Sequence, residues 1–142
     1  MTEDLARATF GGEPRCLYAA STVAFQNAAE DVATSFKEDI KFFTYMGVGW
    51  QRPGPHFPNA SIIRNRVDDA MQSCDLSKLG KALHSVQDAV AHAGIHPLGH
   101  FLRMRAPDLR AAESATMRNT AMAATAQVLR AFKDKCMKCG CL

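Results

Sequence analysis

The chain has 142 residues, 47% of them hydrophobic and 22% charged, enough for a single domain burying roughly two thirds of its unfolded surface and too apolar for a disordered or fibrous chain. Seventeen Lys and Arg against 14 Asp and Glu give +3, too mild for the clustered basic face of a dedicated nucleic-acid binder. No apolar run approaches the ~18 to 20 residues of a membrane span, and the acidic start Met-Thr-Glu-Asp is unlike a secretory signal.

Residues 1–15 contain Gly11, Gly12 and Pro14 without clear periodicity and read as an arm. From about residue 17 to 45 the apolar side chains Val23, Phe25, Val32, Phe36, Ile40 and Phe43 recur at mostly helical intervals, with no Pro or Gly between them. A long first helix is expected. The segment GVGWQRPGPHFPN over 47–59 cannot continue it, because proline removes an amide donor and fixes its own φ. Ser61 then caps a second helix over about 62–73, and Asp75 or Ser77 caps a third reaching about residue 93, where Gly94 suits the C-terminal cap. After the loop GIHPLGHFLRMRAP, Asp108 caps a last helix to about residue 135, with an Ala-rich, strongly helix-forming middle. The expected fold is all-α, about four helices packed as a bundle with two Pro/Gly-rich loops, in one domain.

The five cysteines are an odd number, and Cys136, Cys139 and Cys141 crowd the last seven residues. This spacing does not resemble a disulfide framework, so residues 136–142 read as a reduced, flexible tail and the setting as a reducing compartment.

Four of the five histidines fall at His84, His92, His96 and His100. On the third helix His84, Asp88 and His92 stand at i, i+4 and i+8, a row drifting only about 80° around the axis. Leu79, Leu83, Val86 and Val90 form the apolar stripe, away from His84, so the polar row is expected on an open face. Gly80, Ala91 and Ser77 flank that row with little bulk, leaving space for other side chains or a ligand. Zinc takes imidazole nitrogen and carboxylate oxygen in about four-coordinate geometry, and a catalytic site keeps one position for water. His84 and Asp88 supply two ligands, and His56, between the prolines of GPHFPN, is the best third. If Asp88 bridges two ions, His92 serves the second with His100 or His96, His100 being preferred. One or two zinc ions are expected.

The segment LGKALHSVQDAVAHAG resembles the L-G-x-x-L-H-x-x-x-D-x-x-x-H helix of the zinc-dependent phospholipase C and single-strand nuclease superfamily, all-helical phosphodiesterases with up to three zinc ions. Pro55-His56-Phe57 is similar to the HF that carries a zinc ligand in the phospholipases. The resemblance implies that His56, His84 and Asp88 hold one zinc, with Asp88 bridging, and that His92 matches a ligand of the next. It rests mainly on residues 78–94. No Trp and His near the N-terminus match the family's ligands there, since the sole Trp is Trp50, and no His-x-x-x-Glu follows His92. The family uses an upstream Asp to orient the attacking water, a role that falls to Asp39, beside Glu38 on a charged helix end. Lys81, close to the metal row, can meet a phosphate, as can Arg103, Arg105 and Arg110.

Similar segments occur in C-terminal toxin modules of bacterial Rhs-repeat proteins. That likeness implies a small effector made in the bacterial cytoplasm, delivered to target cells as part of a larger polypeptide, and matched by a cognate immunity protein. The expected activity is a phospholipase C-like hydrolysis of a phosphodiester. Phospholipid is favoured over nucleic acid because the chain lacks a strong basic stripe. The alternatives are a nuclease using the same metal site and a non-catalytic helical binding module holding a structural metal or none.

Overall fold

The computed structural model describes residues 1–45, with the backbone alone for 31–45, and residues 59–91, 115–137 and 140–141. Among these residues the chain is all-α: α1 (Thr2–Phe10), α2 (Pro14–Tyr45), α3 (Ala60–Ser73), α4 (Leu76–Ala91) and α5 (Ala115–Cys136). No helix of the described residues is long and apolar enough to cross a membrane.

The first helix replaces the expected arm. Thr2, Ala6 and Phe10 stand four apart and all three are buried, so α1 carries one narrow inward face. The glycines read as an arm are its stop signal. Gly11 caps α1 at φ 115, with its amide donating to the Arg7 carbonyl at 3.0 Å, and Pro14 opens α2 at the position where a missing amide costs nothing. On the outer face of α1, Arg7 donates to Glu3 at 2.6 Å and holds that exposed carboxyl below the usual carboxylate range.

Local capping sets the later boundaries. Asn59, rather than Ser61, caps α3, its side chain accepting from the Ile62 amide at 3.0 Å. Asp75 caps α4 by accepting from the amides of Ser77 and Lys78 at 2.7 and 3.1 Å. Between these helices Cys74 adopts a left-handed conformation at φ 50. The corner is also tied by the Lys78 ammonium, which donates to Asp69 at 2.8 Å and is held above its ordinary pKa by that bond.

One apolar core joins Ala6, Phe10, Ala19, Ala20, Val23, Ala70, Leu79, Leu83, Leu129 and Phe132. Helix α4 lies at its centre, packed by α2, α3 and α5. On α2 the inward side is Cys16, Ala19, Ala20 and Val23, whereas Phe25, read as part of the apolar stripe, is 69% exposed because two residues turn a helix by about 200°. A polar network runs through the packed interior. Gln87 donates through Nε2 to the hydroxyls of Thr2 and Thr125 at 3.0 and 3.2 Å, and Asn27 donates to the Gln87 carbonyl at 3.3 Å.

The crossing of α2 and α4 is close because Gly80 has no side chain. A Cβ built there would lie 2.6 Å from the Val23 carbonyl oxygen and from the Gln26 Cβ. Gly80→Ala should therefore destabilise the fold by about 1–2 kcal/mol, overpacking outweighing the roughly 1 kcal/mol gain in helix propensity. Urea unfolding measures this, and a stabilised variant would mean that the two helices do not touch at Gly80.

Within the C-terminal segment, Cys136 and Cys141 are held in disulfides. Cys16 is bonded to Cys141 across 125 residues and Cys74 to Cys136 across 62. Met137 and Cys141 are 7% and 8% exposed and belong to the core, which corrects the expectation of a flexible tail over 136–142. In the chain-entropy description each loop closure stabilises by about 4–5 kcal/mol taken alone, and by less together because the shorter loop is nested in the longer.

Candidate functional site

Helix α4 brings His84 and Asp88 together. One turn apart on one side of the helix, they place His84 Nε2 3.1 Å from Asp88 Oδ2. At this separation the two side chains are in direct contact, a distance that two donors to one zinc also span.

The surroundings differ from the expected open face. His84 is 4% exposed, Asp88 9% and Ser85 0%, so the two described members of the polar row are buried, as are Leu79, Leu83 and Val86 of the apolar stripe. The space expected beside Gly80 is filled by the α2 backbone. A hydrophobicity pattern on one helix identifies its apolar side but does not report that helices pack on its other sides as well. Lys81 is the one residue of α4 classed as exposed.

A charged cluster that sequence spacing did not single out lies alongside. Arg66 of α3 reaches α4 and α2 at once: its Nη1 donates to Ser85 Oγ at 2.9 Å and to the Lys81 carbonyl at 3.4 Å, and lies 3.1 Å from Glu30 Oε1. Ser85 and Asp88 are three apart on α4, hence surface neighbours with Cβ atoms roughly 5–6 Å apart. Arg66 thus braces the helix beside the His84–Asp88 pair. Its one sequence signal was an Arg at helical spacing from Ile62, Ile63 and Ala70, indistinguishable from a solvated charge.

Among the described residues no group of three or more His, Cys, Asp and Glu is arranged to hold a metal ion. His56, His92, His96 and His100 lie outside the described residues, as do Arg103, Arg105 and Arg110. Asp39 lies on the part of α2 for which the backbone alone is described. Of the proposed site residues, the structure therefore describes the surroundings of His84, Asp88 and Lys81.

Comparison with family models, curated proteins and solved structures finds no match to this chain. The functional reading rests on the residues and on the resemblance of the segment over 78–94.

Proposed function

We propose that this protein is a metal-dependent phosphodiesterase, phospholipase C-like in its chemistry, with zinc as the favoured ion. The observation carrying the proposal is the 3.1 Å approach of His84 Nε2 to Asp88 Oδ2 in a shielded position on α4. The sequence adds His56, His92 and His100 as further ligands from the Pro-rich loop and the residues after α4. A divalent ion, if held by these residues, would supply Lewis acidity toward a phosphodiester.

His84 and Asp88 would hold two of the positions. Lys81, exposed on the same helix, presents its ammonium to a phosphodiester oxygen approaching from solvent. Asp39 is the residue assigned to orient the attacking water. Phospholipid is the favoured substrate class, because a formal charge of +3 without a basic stripe is poor equipment for a polyanion. The biological setting proposed is a bacterial effector module, delivered within a larger polypeptide and held in check by a cognate immunity protein.

A second reading takes the chain as a non-catalytic binding module in which His84 and Asp88 form a structural couple. Their low exposure, 4% and 9%, favours it. Metal analysis separates the two. The hydrolase reading expects about one to two zinc equivalents per chain after incubation and desalting, with hydrolysis of bis(p-nitrophenyl) phosphate and of phosphatidylcholine vesicles. His84→Ala and Asp88→Asn should each reduce hydrolysis more than about 100-fold while retaining helical circular dichroism. A wild-type chain that retains no stoichiometric metal removes the proposal, and hydrolysis unchanged in both variants assigns the activity to a contaminant.

A further inference from the structure

We infer that the C-terminal CMKCGC segment is a redox-operated clasp, closing the fold under oxidising conditions and releasing it under reducing ones. The inference does not depend on the hydrolase reading. It follows from where the two bonds land. Cys16 sits in the first turn of α2, just after the Gly11 stop, and its bond to Cys141 pins the segment at the junction of α1 and α2. Cys74 sits at the corner between α3 and α4, and its bond to Cys136 pins the last residue of α5 there. One short stretch of chain thereby ties two helix junctions to the end of α5.

Packing makes the clasp matter to α1 in particular. Phe10, Cys16, Met137 and Cys141 are buried members of one core cluster, and the Cys141 sulfur lies 3.7 Å from the Phe10 carbonyl oxygen. A nine-residue helix is far too short to persist alone in water, so α1 depends on its contacts with α2, α5 and this segment. Withdrawing the segment removes part of the surface that holds Phe10.

The two bonds differ in shielding. Cys16 and Cys141 are 5% and 8% exposed, whereas Cys74 and Cys136 are half-buried. A dithiol reductant reaches the second pair more readily. Its thiolate attacks one sulfur to give a mixed disulfide, and its other thiol then displaces the protein sulfur. For each bond the protein gains two electrons and two protons as two thiols, and the reductant leaves as its own disulfide. Cys74–Cys136 should open first and Cys16–Cys141 after it. Bonds of this kind persist in periplasmic, extracellular or lumenal settings and are reduced in a glutathione-rich cytosol. The domain is therefore looser where thiols are kept reduced and locked where they are not.

The test uses the full chain equilibrated in an oxidising glutathione buffer. Five cysteines less the four in bonds leave one, so maleimide labelling after denaturation without reduction should add one group, on Cys139, and labelling after dithiothreitol should add five. Peptide mapping should return the pairs 16–141 and 74–136. Under native conditions dithiothreitol should release Cys74 and Cys136 first, raise amide exchange in residues 2–10, and lower the thermal midpoint by at least about 10 °C. Cys139→Ser should leave the midpoint unchanged, and the paired variants Cys74→Ser/Cys136→Ser and Cys16→Ser/Cys141→Ser should each lower it. Five labels without reduction, one bond alone, a bridge that includes Cys139, or a fully reduced chain with an unchanged midpoint would each overturn the inference.

Discussion

Phe132→Ala should lower the free energy of unfolding by about 3–5 kcal/mol, the largest loss expected from any single truncation in this core. Phe132 is fully buried on α5 and belongs to the same cluster as Phe10, Leu79, Leu83 and Leu129. Removing the ring deletes contacts to several helices at once, and the cross-links around the C-terminal end of α5 limit how far the backbone can collapse into the cavity. Against a typical domain stability of roughly 5–15 kcal/mol the variant would sit close to the folding threshold. Urea unfolding under oxidising conditions measures it, with the slope expected to stay constant. A loss below about 1 kcal/mol would mean that α5 does not close this core.

Arg66→Met should cost about 2 kcal/mol, more than an ordinary surface charge. The guanidinium serves three acceptors on two other helices, and its partner Glu30 has a side chain only 13% exposed while that of Arg66 is 29% exposed. Methionine keeps the apolar stem but leaves the fully buried Ser85 hydroxyl without this donor and removes the positive charge beside Glu30. Arg66→Lys should recover only part of the loss, since all three contacts are made by Nη1 and the lysine stem ends in an ammonium that need not reach that same point. A double-mutant cycle with Glu30→Gln should return a coupling of about 1 kcal/mol. Strict additivity would show the pair to be an accident of proximity.

How much of this was legible in the sequence depended on whether the signal was local. The Asp75 cap and the i, i+4 relation of His84 and Asp88 are each properties of one stretch of chain, and the structure keeps both, whereas the Pro/Gly-rich segment lies almost wholly outside the described residues. The first helix is masked in the sequence by Gly11, Gly12 and Pro14, which are loop signals, although Thr2, Ala6 and Phe10 carry a four-residue spacing. Burial of the His84 row was invisible because it depends on what α2 and α3 place there, including the Val23 carbonyl and Arg66. The cysteine pairing was beyond reach for the same reason: partners 125 and 62 residues apart are joined by topology, and spacing alone does not determine connectivity.

The Thr2, Asn27, Gln87 and Thr125 contacts carry a consequence for alignment. Leucines and alanines along a bundle are nearly interchangeable, so greasy packing by itself tolerates α4 slipping lengthwise by one turn, about 5.4 Å. Such a slip would drag the Gln87 amide away from hydroxyls on two helices and from the Asn27 amide on a third, leaving partly buried polar atoms without these partners. These few bonds act as an alignment peg, selecting one longitudinal setting of α4 and with it the height at which His84 and Asp88 sit.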